Sequence, residues 1–267
     1  MAIQWSLVLF TVLTGLGGWM LAAVAASEFT GKASRARFAG ALVALVCAAV
    51  GGIASVAHLS HPERMMEALN HPTSGIFVEA VLVGLMGACV IVYLVLLARD
   101  ASASARKAFA VLGAVFGVAL SFMAGYSYIM AARPVWDTVL LPLGYLGTAA
   151  PSGIAAYLAL ACGMKAEPSR RAMTALGVAG IAGFVLGGAY LVFAGAFSAA
   201  TLPAVVCLAG SGIAPIVCGF AAARAREEAS GALAATALVC AVAGSVAYRC
   251  AMWMISVPVA DYLGTVL

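Results

Sequence analysis

Residues 74–98 read SGIFVEAVLVGLMGACVIVYLVLLA and contain one acidic residue and no basic residue. An α-helix rises 1.5 Å per residue, so a run of this length can cross the hydrocarbon core of a bilayer, which is about 30 Å thick. The strands of a membrane β-barrel would be about 10 residues long with strict alternation of polar and apolar side chains, and this run shows neither feature. The segment therefore predicts a transmembrane helix.

Similar apolar runs fill most of the remaining chain. Of the 267 residues, 65% are hydrophobic and 9% are charged, whereas a soluble domain carries about 25% charged residues. This composition excludes a soluble enzyme, a disordered chain and a nucleic-acid-binding protein. We predict an all-α integral membrane protein that forms one domain over residues 1–267, with eight transmembrane helices at about 5–26, 38–59, 74–98, 108–131, 138–163, 172–193, 203–223 and 231–257.

The basic residues of the predicted loops are distributed unevenly between the two sides of the membrane. Loops two and four hold one each, Arg64 and Arg133. Because short loops rich in Lys and Arg stay in the cytoplasm, we expect the odd loops to be cytoplasmic and both termini to lie on the outer side of the inner membrane. The odd loops hold eleven basic residues: Lys32, Arg35, Arg37, Arg99, Arg106, Lys107, Lys165, Arg170, Arg171, Arg224 and Arg226.

The cysteines and histidines argue against a bound metal. The seven cysteines lie singly within apolar runs, with no Cys-x-x-Cys pair. Zinc and iron–sulfur sites need clustered thiolates, and a b-type haem needs an axial ligand, usually histidine, inside the helix bundle. Predicted spans four to eight contain no histidine. We therefore predict no metal, no haem and no disulfide on this chain.

Two ionisable residues lie within predicted spans. Placing a charge there costs a few kcal/mol, so such residues are candidates for function. Glu79 lies near the start of the third span and Arg249 near the end of the eighth. Both therefore belong to the outer half of the membrane. Either they pair with each other for structural reasons, or they act on a ligand.

Histidines and aromatic residues accumulate at the same depth. His58 ends the second span, and it is either a polar helix end or a proton acceptor, since a histidine titrates near neutral pH. The predicted inner half of the membrane holds almost no ionisable residues. An ion channel would need polar groups along its whole path, so this distribution disfavours one. His61 and His71 follow in the next loop, and the aromatic residues near this boundary are Trp5, Tyr126, Tyr128, Trp136, Trp253 and Tyr262.

An acid, a base, a cation and aromatic rings at one face predict a site for a lipid-soluble molecule that exchanges protons. A quinol fits this description, because its oxidation releases two protons and two electrons. The sequence offers no group that carries electrons over a distance. A partner protein is therefore expected to hold the redox centres.

Several segments resemble the membrane-anchor subunits of dimethyl sulfoxide reductase. Residues 58–64, HLSHPER, with Ala68-Leu69-Asn70 are similar to the H-L-x-x-P-x-R…L-N segment after the second span of that family. Residues 5–11, WSLVLFT, resemble its opening W-x-L-x-x-F-T. The resemblance extends in order over nearly the whole chain, through Glu79, Tyr126, Pro134, Trp136 and Arg249.

The sequence departs from that family at two positions. Gly15 stands where members often carry Gln, and Ser245 stands where they often carry Glu, four residues before the arginine that Arg249 resembles. The second departure removes a local ion-pair partner of Arg249. Glu79 is a candidate substitute for that partner.

The resemblance implies an eight-helix, haem-free anchor. Such an anchor binds a molybdopterin catalytic subunit and an iron–sulfur subunit, oxidises menaquinol and passes the electrons to the iron–sulfur subunit; the anchors of polysulfide reductases are similar in plan. It also implies a quinol-binding role for the histidine at position 58. We expect His58 and Glu79 to accept protons, and Arg64, Tyr126 and Arg249 to complete the quinol site.

Two other functions remain open. A small-molecule permease would work without redox partners and would use a site near the midplane, often between broken helices. Pro151 and Pro215 lie within spans five and seven and would suit such breaks. A purely structural anchor would tolerate the loss of both His58 and Glu79.

Overall fold

The computed structural model describes residues 3–57 and 70–258, and within these ranges it is helical with no strand. Eight helical segments in the described part are long and apolar enough to cross a membrane, which confirms the predicted number. Six are single helices: α1 Trp5–Thr30, α2 Arg37–Val56, α3 Gly75–Ala98, α4 Ala103–Tyr126, α5 Leu140–Gly163 and α6 Arg170–Phe193. A short helix α7 (Ala196–Ala199) leads into the seventh segment, and α10 (Glu227–Met254) forms the eighth.

The seventh segment is composite. It consists of α8 (Thr201–Cys207), a π-helical turn (Leu208–Ile213) and α9 (Ala214–Ala222). Pro215 lies in the first turn of α9, where a missing amide hydrogen costs little. Pro151, in contrast, lies inside α5 and leaves that helix continuous. Of the two prolines expected to suit helix breaks, only Pro215 accompanies an irregular turn.

Helix α4 begins and ends earlier along the chain than its predicted span of 108–131. The Ser102 hydroxyl accepts a hydrogen bond of 3.3 Å from the Ala105 amide and caps the helix. Arg106 and Lys107 therefore lie in the first turns of the helix, beyond the apolar run that hydropathy detects. The helix ends at Tyr126, and residues 127–139 then fold over the end of the bundle.

Glycines allow neighbouring helices to approach closely. A Cβ built on Gly117 of α4 would lie 2.5 Å from the Cα of Gly18 in α1. A Cβ on Gly183 of α6 would meet the carbonyl oxygen of Ser211. Such contacts are typical of membrane helices, which gain their association energy from close packing. Among the described crossings, α1 and α5 are the most buried and α3 is the least buried, so α1 and α5 lie at the centre of the bundle and α3 at its periphery.

Successive crossings alternate in direction, so the bundle has two ends. The upper end is where Trp5, Gly75, Tyr126, Leu140 and Met254 lie, and the lower end is where Thr30, Arg37, Ala98, Gly163 and Arg170 lie. A hydrogen bond between Ser127 and Glu79 and a contact between Arg133 and Ser256 connect elements at the upper end. An ion pair between Arg37 and Glu28 connects α1 and α2 at the lower end.

Candidate functional site at the upper end of the bundle

Glu79 lies on the second turn of α3, close to the upper end. The Ser74 hydroxyl caps this helix by accepting a hydrogen bond of 3.2 Å from the Phe77 amide. The Glu79 carboxylate is half-buried, and its Oε1 accepts a hydrogen bond of 2.5 Å from the Ser127 hydroxyl. No described residue hydrogen-bonds to Oε2. Among the described residues, the carboxylate is thus held in place through one oxygen.

Arg249 lies deeper, on α10, and its side chain is fully enclosed. Its Nε donates to the Thr11 hydroxyl at 2.7 Å, and one terminal nitrogen donates to the Ser245 hydroxyl at 2.8 Å. The other terminal nitrogen donates to the Thr11 carbonyl at 3.2 Å, and the Thr148 hydroxyl lies 3.5 Å from the guanidinium. Only 1% of the residue is exposed. Neutral hydroxyl and carbonyl oxygens therefore solvate this cation.

Two stacked tyrosine rings lie between Glu79 and Arg249. The guanidinium of Arg249 is 4.4 Å from the ring centroid of Tyr145, a cation–π distance. The Tyr128 ring stacks on Tyr145 at 6.0 Å between centroids. Tyr128 and Tyr145 each interact electrostatically with both Glu79 and Arg249. The two rings thus connect the half-buried acid with the buried cation.

The phenol of Tyr128 stays protonated in this setting. Burial raises the pKa of Tyr128 far above its usual value, and the neighbouring Tyr145 and Glu79 act in the same direction, while the charge of Arg249 opposes them. A neutral phenol is both a donor and an acceptor of hydrogen bonds. Tyr128 can therefore donate to an oxygen of a ligand placed near Glu79.

Further aromatic contacts fix the segment 127–139 against the end of α10. The Trp136 indole donates to the Met252 carbonyl at 3.2 Å, and its ring packs edge-on against Trp253 at 5.2 Å. The Arg133 guanidinium lies 4.8 Å from the Trp136 ring and also contacts the Ser256 hydroxyl. The segment that carries Ser127 and Tyr128 is therefore anchored at its far end.

The candidate residues from the sequence lie in different settings. Glu79 and Arg249 are at the upper end, as their positions in the spans predicted. Tyr126 is 51% exposed, and its ring stacks on Phe122 at 6.1 Å at the periphery of the bundle. His58, His61 and Arg64 lie outside the described residues.

The interpretation of Glu79 and Arg249 as an ion pair is wrong. Glu79 binds Ser127, whereas Arg249 binds Thr11 and Ser245. The reason is local: Ser245 lies four residues before Arg249 and thus on the same helix face, where its hydroxyl takes the place of an acid. That spacing was visible in the sequence. The contributions of Thr11 and Ser127 depend on interhelical packing and had no sequence signal.

A buried ion pair lies at the lower ends of α1 and α2, at residues that the sequence predicted to lie in the first loop. Glu28 and Arg37 form a 3.0 Å ion pair there, and they are 6% and 8% exposed. The Tyr93 hydroxyl donates to Glu28 at 2.7 Å, and the Nε of Arg37 donates to the Ser27 hydroxyl at 3.0 Å. Helix α1 extends to Thr30, beyond the predicted end at 26, and this extension turns Glu28 towards the interior.

The described residues contain no group of three or more His, Cys, Asp or Glu side chains that could hold a metal ion. The upper site is instead an arrangement of one acid, one enclosed cation and several aromatic rings.

Comparison with known proteins identifies a family. The chain has no match among curated proteins. A family model described as "DMSO reductase anchor subunit (DmsC)" matches residues 1–258, which is nearly the whole chain. The match agrees with the eight apolar helices of a multi-pass membrane protein. This chain therefore belongs to the family of membrane-anchor subunits of dimethyl sulfoxide reductase, which serve anaerobic electron transport and associate with the catalytic and electron-transfer subunits of that enzyme.

Proposed function

We propose that this chain is a haem-free anchor that oxidises menaquinol at its upper end and passes the electrons to an iron–sulfur subunit. In this proposal the terminal reduction takes place on a separate molybdopterin subunit. The observation that carries it is the half-buried carboxylate of Glu79, held by Ser127 beside the Tyr128 ring. Membership in the anchor family supports the proposal.

The proton chemistry falls to two residues. Oxidation of a quinol to the quinone breaks two O–H bonds, so two protons need acceptors while two electrons leave for the partner. Glu79 accepts one proton through the oxygen that no described residue binds. His58, which lies outside the described residues, is the proposed acceptor of the other proton because of its place in the family motif. General-base assistance of this kind typically contributes about 10²–10⁴-fold to a rate.

Arg249 acts through its charge and not through contact with the quinol. Its donors are engaged by Thr11 and Ser245, and the Tyr145 ring covers its face. A fixed positive charge behind the tyrosines stabilises negative charge that develops on the ring oxygens as protons leave. The residue is therefore a positioning residue. The phenol of Tyr128 is the hydrogen-bond donor that this charge supports.

Two further candidates belong to the entrance of the proposed site. Tyr126 is exposed at the periphery, where a molecule in the lipid would first meet the protein. Arg64 lies in the segment that follows His58 in sequence, outside the described residues. We propose that both residues guide the quinol towards Glu79. A substitution of Tyr126 should therefore affect the apparent quinol affinity more than the maximal rate.

The direction of the proposed reaction follows from the charge of the loops. The lower end carries most of the basic loop residues, which supports a cytoplasmic lower end and an upper end on the outer side of the inner membrane. The iron–sulfur subunit would then dock on the upper end, against the segment 127–139. In that arrangement the electrons leave on the same side as the protons.

Glu79→Gln in the complete reductase complex tests the proposal. The variant keeps the hydrogen bond from Ser127 but accepts no proton, so we expect turnover with a naphthoquinol to fall about 10²-fold or more. Turnover with reduced viologen, which delivers electrons directly to the redox subunits, should stay at the wild-type rate. Asp137→Asn is the matched control, since Asp137 is an exposed carboxylate in the neighbouring loop.

Three results would contradict the proposal. Wild-type quinol turnover in Glu79→Gln would favour the purely structural anchor. Transport of a small molecule into vesicles that contain this chain alone would favour the permease. An equal loss of both activities in Glu79→Gln would show that the carboxylate supports assembly of the complex and not proton transfer.

A further inference from the structure

A cavity lies at the lower end of the bundle, away from Glu79. It has a volume of about 260 Å³ and opens between α1, α5 and α6. We propose that this cavity binds an anionic phospholipid, with one acyl chain in the groove and the phosphate at its mouth. The residues of its lining include Trp19, Ala26, Lys32, Tyr157, Arg171 and Ala175.

The walls of the cavity suit an acyl chain. On α1 the lining consists mainly of alanines, whose small side chains leave a furrow between Trp19 and Thr30. These two residues are eleven positions apart, so the furrow is about 16 Å long at the rise of an α-helix. One leaflet of a bilayer core measures about 15 Å. The furrow therefore extends across roughly one leaflet, which matches the reach of a lipid tail.

The mouth of the cavity suits a phosphate. Lys32 and Arg171 both line it and are both exposed, and the described lining includes no acidic residue. Helix α6 begins beside them at Arg170, with Ser169 as its N-cap, so the positive end of its dipole faces the same place. Two exposed cations at the level of the lipid headgroups attract anionic lipids.

The buried ion pair of Glu28 and Arg37 adjoins the groove through Ser27. Ser27 lines the cavity and also accepts a hydrogen bond from Arg37, while Tyr157 lines it and donates to the Ala33 carbonyl at 3.2 Å. Arg37 itself is paired with Glu28. Its charge is therefore already compensated inside the protein. Lys32 and Arg171 remain as the cations that a headgroup would meet.

A quinone is the rival occupant. Trp19 lines the deep end of the groove, and its buried indole nitrogen has no hydrogen-bond partner among the described residues, which leaves it a donor that a quinone oxygen could reach only after a side-chain rearrangement. However, a neutral quinone ring gains little from Lys32 and Arg171 at the opposite end. The positive charge at the mouth of the cavity therefore favours an anionic phospholipid over a quinone.

Native mass spectrometry of the purified complex tests the assignment. After exchange into vesicles of phosphatidylglycerol and phosphatidylcholine, we expect the wild type to retain phosphatidylglycerol preferentially. The double variant Lys32→Gln/Arg171→Gln should lower that retention about tenfold, which corresponds to about 1.4 kcal/mol. Arg99→Gln/Arg224→Gln is the matched control, because it removes two exposed cations from the same end outside the cavity.

Two uncharged variants and a control test the furrow that would hold the acyl chain. Ala26→Phe and Ala175→Phe place a bulky ring in the groove and should each expel the lipid, whereas Ala235→Phe on the exposed face of α10 should not. Quinol turnover should persist in all three, since Glu79 lies at the other end. Three results would overturn the proposal. The wild type would retain phosphatidylcholine as well as it retains phosphatidylglycerol, Ala26→Phe and Ala175→Phe would still retain phosphatidylglycerol, or a quinone would be found bound in place of the lipid.

Discussion

Ser127 and Glu79 form a hydrogen bond of 2.5 Å that ties the residue after α4 to the second turn of α3. The contact depends on a glycine. A Cβ built on Gly75 would lie 2.5 Å from the Ser127 hydroxyl oxygen. Any side chain at position 75 would therefore push Ser127 away. The position of the Glu79 carboxylate thus depends on a residue that never touches it.

Gly75→Ala should impair quinol oxidation as Ser127→Ala does. Both changes release Glu79 from Ser127, and we expect about a tenfold loss of naphthoquinol turnover, or about 1.4 kcal/mol of activation free energy. The measurement is steady-state turnover of the complete complex, with reduced viologen as the reference donor. Gly84→Ala is the control, because a Cβ at Gly84 meets nothing within 4 Å. Wild-type turnover in Gly75→Ala would contradict the positioning role of Ser127.

Arg249→Lys should destabilise the bundle although it keeps the charge. An ammonium group cannot reproduce the planar fork that binds Thr11 and Ser245 together. Each lost hydrogen bond to a charged group costs about 1.5–3 kcal/mol. We expect a lower midpoint of thermal unfolding for the solubilised complex.

The control for this prediction is Arg224→Lys, since Arg224 is exposed at the lower end. It should leave the midpoint unchanged. The prediction fails if Arg249→Lys unfolds at the wild-type temperature. Wild-type naphthoquinol turnover per assembled Arg249→Lys complex would support the electrostatic role behind Tyr145, because lysine keeps the charge.

Glu28→Gln should be strongly destabilising. The change leaves the buried guanidinium of Arg37 without its carboxylate, and breaking a buried pair in this way costs about 3–5 kcal/mol. Turnover with naphthoquinol and with reduced viologen should fall together, because less complex assembles. The free energy of unfolding in a denaturing detergent titration is the measurement.

Two comparisons sharpen this prediction. The double variant Glu28→Gln/Arg37→Gln should lose less stability than the two single variants combined, since no uncompensated charge remains. Asp100→Asn breaks the exposed pair of Asp100 and Arg106 and should leave stability unchanged. Unaltered stability in Glu28→Gln would show that the pair contributes nothing.

Quinol oxidation should not generate a membrane potential. If protons and electrons leave on one side, no charge crosses the bilayer. In sealed vesicles that contain the complete complex, a potential-sensitive dye should show no response to naphthoquinol with dimethyl sulfoxide as acceptor. A potassium gradient with valinomycin verifies that the vesicles are sealed. A dye response that an uncoupler abolishes would contradict the proposed sidedness.

Hydropathy predicted the fold correctly because lipid imposes a simple rule. Every backbone polar group in the bilayer core needs an internal partner, so a long apolar run such as 74–98 has to be helical. Helix ends were less predictable. Arg106 and Glu28 are charged, so hydropathy excluded them from spans, yet capping by Ser102 and the extension of α1 to Thr30 include both in helices.

The candidate site was also only partly predictable from the sequence. The sequence singled out Glu79 and Arg249, since an ionisable residue in an apolar run is conspicuous wherever it lies. It did not show that hydroxyl groups from Thr11 and Ser127 would keep the two apart. Those contacts join residues that are 238 and 48 positions apart in the chain. Only the packing of α1 against α10, and of α3 against α4, brings them together.

The sequence by itself therefore determined the eight crossings, the all-helical architecture and the end of the bundle where an acid and a cation lie. The physical reason is that transfer into lipid acts on each residue locally and leaves its mark on composition. The tertiary structure alone decided which groups solvate Arg249 and which residue holds Glu79. It also decided that Glu28 meets Arg37 and that a groove opens beside Lys32, because each of these depends on which helix faces come into contact.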